Sequence, residues 1–94
     1  MPRMPIAILG AGNVGTALAR AWITRGESIV FGVPNPDKYR DTVATLGPSA
    51  TIARTASAID AAEVVVLATP HTAALDVARS IADWRGRILI DATN

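Results

Sequence analysis

The chain has 94 residues, enough for one compact domain with a single hydrophobic core. Nine Lys and Arg residues against eight Asp and Glu leave a net charge of +1, so no basic stripe is available for nucleic acid. Without cysteine and with one histidine, the sequence argues against disulfides and bound metal. No apolar run approaches the ~20 residues of a membrane span, and no signal-peptide pattern opens the chain. We expect a soluble cytoplasmic protein.

Short apolar runs alternate with helical patterns along the sequence. Residues 5–9 are apolar throughout and end at Gly10, which is typical of a strand covered on both faces. Apolar residues then recur at helical spacing over 13–25, and Gly26 can end that helix. By the same reasoning we expect further strands at 28–33, 50–54, 63–68 and 87–91, and helical segments at 37–46, at 55–60 and between Thr69-Pro70 and Gly86.

This order of elements predicts an α/β fold. Strands separated by helical crossovers are parallel, and right-handed crossovers place helices on both faces of the sheet. We therefore expect a Rossmann-like, doubly wound parallel sheet of five strands in the order 3-2-1-4-5. Residues 1–94 would form one such domain.

A glycine-rich turn follows the first strand. Residues 10–15, GAGNVG, match the pattern G-x-G-x-x-G between a strand and an amphipathic helix, the context in which that pattern indicates a dinucleotide site. Gly10 permits the tight turn, Gly12 lets the backbone approach a pyrophosphate, and Gly15 lets the helix pack on the strand. The N–H groups of residues 12–14 would then face the anion. The alternative is a turn without a ligand, which would not need three glycines at this spacing.

The end of the second strand indicates which nucleotide binds. A site for NAD would place an acidic residue there, but Gly32, Val33, Pro34 and Asn35 occupy it, and Glu27 precedes the strand. Lys38 and Arg40 follow, and either could reach a 2′-phosphate. This favours NADP over NAD, with Asn35 and Lys38 at the adenosine end. The alternative for both cations is a solvated helix face.

The loop after the fourth strand would lie on the nicotinamide side. It contains Ala68, Thr69, Pro70 and His71, at the carboxyl edge where ligands of open α/β sheets bind. His71 is a weak candidate for a proton donor or a ligand contact, and otherwise a partly exposed residue at a helix start. Thr93 and Asn94 follow the fifth strand at the same edge.

Four segments of the chain resemble a known family. ILGAGNVGTALA (8–19), VFG (30–32), VVVLATP (64–70) and ILIDATN (88–94) are similar to the NADP-binding domain of the coenzyme F420-dependent NADP oxidoreductases. The resemblance implies a Rossmann domain whose cofactor exchanges hydride with a deazaflavin, a flavin or a similar acceptor. It also implies phosphate binding by residues 10–15 and a nicotinamide-side loop at 68–70.

Two departures from the family pattern bear on function. Where the family has Ser-Arg for the 2′-phosphate, this chain has Val33-Pro34, although Lys38 matches a family lysine. Family members also continue past the Asp-Ala-Thr-Asn segment into a part that shapes the substrate pocket and the dimer. The sequence thus looks like the cofactor-binding half alone.

The sequence supports more than one function. The first hypothesis is the NADP(H)-binding domain of an oxidoreductase, with F420 or a flavin as hydride acceptor. The second is a non-catalytic nucleotide-binding or regulatory module, or a truncated fragment. A methyltransferase is a poorer choice, since its adenosyl site also needs an acid after the second strand.

Uncovered sheet edges predict a homo-oligomer. The candidate cofactor-binding residues are Gly10, Ala11, Gly12, Asn13, Val14, Gly15, Gly32, Val33, Pro34, Asn35, Lys38, Ala68, Thr69, Pro70 and His71.

Overall fold

A computed structural model describes residues 4–68 and 88–92, excepting the side chains of residues 89 and 91. The strands are β1 (Ile6–Leu9), β2 (Ile29–Val33), β3 (Ala50–Arg54), β4 (Val64–Leu67) and β5 (Ile88–Asp91). The helices are α1 (Asn13–Thr24), α2 (Arg40–Ala44) and α3 (Thr55–Asp60), and a 3₁₀ turn, Pro36–Tyr39, precedes α2.

The strands form one parallel sheet in the order β3-β2-β1-β4-β5. β1 lies between β2 and β4, so Leu9 pairs with Gly32 on one side and Leu67 on the other. The prediction of a Rossmann-like, doubly wound α/β fold is confirmed, as is the order 3-2-1-4 of the first four strands. β5 extends the sheet beyond β4, with Asp91 opposite Leu67.

Helices cover both faces of the sheet, and each face has its own apolar cluster. On the first face Ile8, Phe31 and Val66 pack with Ala19 of α1 and Val43 of α2. Because successive side chains of a strand point to opposite faces, their neighbours Ala7, Leu9 and Val65 pack on the second face with Ala58 and Ile59 of α3. No buried polar residue interrupts either cluster within the described residues. Burial on both faces explains why β1, β2 and β4 consist only of apolar residues and glycine.

The segment between β2 and β3 differs from its prediction. We expected one helix over residues 37–46, but the chain forms a 3₁₀ turn followed by a helix of five residues. Pro36 opens the turn, and at Tyr39 the backbone leaves helical geometry, with φ −116° and ψ 6°, before α2 begins. Such tight turns are common at helix N-termini, where local bonds replace the regular α pattern.

The other boundaries lie close to prediction. α1 ends at Thr24, and Gly26 follows with a φ of +89°, as expected for the residue that stops a helix. The remaining described strands and α3 agree with prediction to within about one residue at each end. The helix expected between Thr69-Pro70 and Gly86 lies outside the described residues.

The fifth strand carries apolar surface. Ile88 and Ile90 pair with Val64 and Val66 and are 59% and 42% exposed. Within the described part of the chain, no helix is long and apolar enough to cross a bilayer.

Candidate functional site

The carboxyl ends of the central strands meet at one edge of the sheet. The N–H of Gly10, just after β1, donates to the carbonyl of Gly32 at 3.1 Å. On the other side the N–H of Ala68 donates to the carbonyl of Leu9 at 3.0 Å. The loops that follow β1, β2 and β4 therefore leave the sheet side by side. Ligands of open α/β sheets bind at this edge, where the strand order reverses.

Gly10 and Gly15 are required by the fold itself. Gly10 has a φ of +114°, a conformation that residues with a side chain rarely adopt. A Cβ on Gly15 would lie 2.3 Å from the Gly10 carbonyl oxygen and 3.3 Å from Ile8 Cγ2. These two glycines allow the tight turn and the close contact of α1 with β1, as predicted.

Gly12 differs from the other two glycines because no contact with the described residues requires it. Its backbone is extended, with φ −83° and ψ −163°, which any residue adopts, and a Cβ there would meet no atom of the described residues within 4 Å. The residue is exposed and its missing side chain leaves open space at the N-terminus of α1. A side chain at this position would fill the place through which a ligand reaches the main chain.

The N-terminus of α1 presents unused hydrogen-bond donors. The first α-helical bond runs from the Thr16 N–H to the Gly12 carbonyl at 2.9 Å, and no side chain caps the helix. The described residues provide no acceptor for the N–H groups of Asn13, Val14 and Gly15. No acidic residue lies in the first turn. Donors and helix dipole together make this end of α1 suited to an anion.

Besides Gly15, three of the predicted site residues are buried, so they can offer a ligand only their main chain. Ala11 and Val33 are 6% and 2% exposed and belong to the apolar cluster beneath α1 and α2. A Cβ on Gly32 would lie 2.7 Å from Leu9 Cδ2, 2.9 Å from Ala58 Cβ and 3.2 Å from Thr55 Cα. Gly32 therefore allows α3 to pack against β2, a role that the sequence analysis did not assign to it.

The two cations that follow β2 are not equivalent. Arg40 Nε donates to Asp37 Oδ1 at 2.6 Å, so its guanidinium already has a carboxylate partner. Lys38 is exposed, with Nζ 5.5 Å from the centre of the Tyr39 ring. Pro34 and Asn35 are also exposed, at the start of the same loop. The sequence analysis placed Lys38, and not Arg40, among the candidate cofactor-binding residues, and in the structure Lys38 is the more available of the two.

A further cation at this edge was missed from the sequence. Arg54, the last residue of β3, pairs with Val33, the last residue of β2, and is exposed. The signal was present in its position at the end of the predicted third strand. Its nearness to the β2 loop depends on strand order and register, which residue spacing alone does not reveal.

Of the residues predicted on the nicotinamide side, the structure describes only Ala68. Ala68 is half-buried and packs on the cluster beneath α1. Thr69, Pro70, His71, Thr93 and Asn94 lie outside the described residues. Among the residues that the structure describes, no group of three or more His, Cys, Asp or Glu side chains could hold a metal ion.

The parallel sheet, the glycine turn and the open helix N-terminus define a Rossmann-like domain with a dinucleotide-type anion site. Residues 5–94 match the family described as NADP oxidoreductase, coenzyme F420-dependent. The match covers nearly the whole chain, so this chain belongs to that family, and the family prediction is confirmed. The domain is of the NADP-binding, oxidoreductase type.

Solved structures share this fold. A hypothetical protein from Sinorhizobium meliloti is 29% identical, with a TM-score of 0.85 over 97% of this chain and 44% of its own. A candidate F420-dependent NADP reductase from Arthrobacter sp. FB24 is 26% identical, with a TM-score of 0.84 over 97% and 46%. The chain thus spans less than half the length of either protein.

A more distant structure shows the fold alone. An imine reductase from Aspergillus terreus, solved with NADPH4, is 22% identical, with a TM-score of 0.79 over 100% of this chain and 33% of its own. No curated protein sequence matches this chain significantly.

Proposed function

We propose that this chain binds NADP(H) as the cofactor-binding part of an oxidoreductase. Residues 10–15 hold the pyrophosphate against the main-chain N–H groups at the start of α1. The observation that carries the proposal is Gly12, whose missing side chain is not required by packing against any described residue and leaves space beside those donors. Main-chain donors at a helix N-terminus are a recurrent way of binding phosphate.

The strand order along the carboxyl edge indicates where the adenosine and nicotinamide ends of the dinucleotide would bind. The adenosine end lies over the loop after β2, where Asn35 and Lys38 are exposed, and the nicotinamide end lies toward residues 68–71. The last residues of β2 include no carboxylate that would repel a 2′-phosphate. The family description also favours NADP over NAD.

The bound nicotinamide would supply the hydride, and the chain's own residues would position it. Hydride transfer depends mainly on the orientation of two rings, so no acid or base among the described residues is assigned a role. Coenzyme F420, a flavin or a similar small molecule is the proposed acceptor, on the strength of the family description.

Titration of the 94-residue chain with NADPH and NADH by calorimetry tests this proposal. We expect saturable binding with NADPH preferred, and a rise in the NADPH dissociation constant of about tenfold or more in Gly12→Ala. Ala21→Ser is the matched control, since it adds one heavy atom to an exposed position further along the same helix. Absence of binding, or equal binding by wild type and Gly12→Ala, contradicts the proposal. Stronger binding of NADH refutes the NADP preference.

A non-catalytic nucleotide-binding module is the second candidate, because the described site offers main-chain donors for a pyrophosphate and the proposal assigns no described acid or base to hydride transfer. Oxidation of NADPH by F420 or a flavin, followed by absorbance, separates the two candidates. Turnover supports the enzyme, whereas binding without turnover supports the module. The homo-oligomer stays a prediction, and light scattering that shows a monomer at every concentration would contradict it.

A further inference from the structure

Arg54 lies beside the proposed adenosine end although it comes from a different strand. β3 runs parallel to β2, and the register sets Arg54 opposite Val33, where both strands end. The next residue, Thr55, begins α3, and its Cα lies 3.2 Å from the position of a Cβ on Gly32. Such close packing fixes the end of β3 against the end of β2. The position of Arg54 is therefore set by the fold.

The side of the sheet on which Arg54 emerges is also determined. Residues paired across parallel strands share a face, and Val33 packs on the face covered by α1 and α2. Tyr39 packs against the same cluster and is next to Lys38 in the 3₁₀ turn. Arg54 and Lys38 thus belong to the same side of the same edge, at the end of β3 and in the loop after β2.

The charges around this edge distinguish Arg54 from its neighbour Arg40. Asp37 holds Arg40 at 2.6 Å, whereas the described residues provide no ion pair for the exposed Arg54. A guanidinium presents several N–H donors in a fixed plane and binds phosphate through two of them at once. Pro34, by contrast, lacks even a main-chain N–H to offer a phosphate.

We propose that Arg54 binds the 2′-phosphate of NADP together with Lys38. The inference rests on the proposed function, since it needs a dinucleotide in the site. It explains how a chain with Val33-Pro34 after the second-strand glycine could still prefer NADP: the arginine comes from the neighbouring strand. Arg54 acts as a specificity-determining residue, and the pyrophosphate contacts at residues 10–15 are independent of it.

The test compares ligands that differ by one phosphate. Calorimetric titrations of wild type, Arg54→Gln and Arg54→Lys use the pairs NADPH and NADH, and 2′,5′-ADP and ADP. In Arg54→Gln the dissociation constants for NADPH and 2′,5′-ADP should rise about tenfold, while those for NADH and ADP change less than about twofold. Arg54→Lys should recover part of that loss. The matched control is Arg25→Gln, which removes an equal charge just beyond the C-terminal end of α1.

Each outcome bears on a separate statement. If Arg54→Gln binds NADPH as tightly as wild type, or loses NADPH and NADH affinity in parallel, the role of Arg54 is refuted and the proposed function stands. If wild type binds neither dinucleotide, the proposed function fails and this inference fails with it. Circular dichroism checks that the variants fold. Should Arg54→Gln not fold, Arg54→Lys decides: a loss of about threefold for 2′,5′-ADP but not ADP supports the role, and equal binding refutes it.

Discussion

Two parts of the carboxyl edge are built in different ways. The proposed phosphate turn, residues 10–15, presents main-chain N–H groups and glycines from one continuous segment. The proposed adenosine edge, which comprises residues 33–40 and Arg54, presents side chains from two strands and a 3₁₀ turn. The turn is a local structure, whereas the edge exists only once β2 and β3 are paired.

This difference affects what each part can recognise. Main-chain donors in the phosphate turn suit the pyrophosphate common to every dinucleotide, so the turn cannot tell NAD from NADP. Under the proposed function, discrimination between NAD and NADP would come from charged side chains at the adenosine edge, where Lys38 and Arg54 are exposed and Arg40 is paired with Asp37. Single residues of that edge can change without harm to the turn.

The largest expected effect is on the phosphate turn. Gly15→Ala should lower the free energy of unfolding by about 3 kcal/mol, because its Cβ would overlap the Gly10 carbonyl oxygen, which is fixed backbone. Urea unfolding followed by circular dichroism measures this. Gly12→Ala is the control, with a loss below about 1 kcal/mol, since it meets nothing and changes only the residue before the helix. Equal stability of the two variants would remove the distinction drawn between these glycines.

Gly32→Ala should have the next largest effect, and it concerns the packing of β2 just before the adenosine edge. The new Cβ would crowd Leu9, Ala58 and Thr55, at a cost of about 2 kcal/mol of unfolding free energy. Two of these contacts are to side chains, which explains the smaller effect than at Gly15. Urea unfolding of Gly32→Ala and wild type measures this difference in unfolding free energy. A variant as stable as wild type would show that α3 does not pack on β2 as tightly as described.

Lys38→Gln tests the adenosine edge without disturbing the core. Lys38 is exposed, so its removal should raise the NADPH dissociation constant only about three- to fivefold and leave NADH unaffected. Parallel titrations with both dinucleotides give the ratio. An equal loss of affinity for NADPH and NADH would assign Lys38 to the pyrophosphate and contradict the separate roles of the two parts.

Asp37→Asn should have the smallest effect. The pair with Arg40 is largely exposed, at 61% and 82%, so its loss should change stability by less than about 0.5 kcal/mol. Freed from Asp37, Arg40 should improve NADPH binding about two- to threefold. Titration of Asp37→Asn with NADPH measures this change, and Asp37→Glu, which keeps the negative charge, is the control. Weaker NADPH binding in Asp37→Asn than in wild type would contradict it.

Much of this architecture follows from local pattern. The apolar runs predicted β1, β2 and β4 because these strands are buried on both faces. The glycine spacing predicted the turn because the conformation of Gly10 and the contacts of Gly15 involve residues within a short segment. The segment over 37–46 was predicted less well. Its apolar spacing favours one helix. Pro36 instead begins a 3₁₀ turn, and the backbone leaves helical geometry at Tyr39 before α2 begins.

By itself the sequence determined the parallel α/β fold, the order of the first four strands and the glycine-rich turn, because these depend on periodicity and on glycines close together in the chain. Only the tertiary structure decided the packing role of Gly32 and the placement of Arg54 beside Val33. Packing and strand register bring together residues about 20 positions apart, and no local pattern records which of them meet.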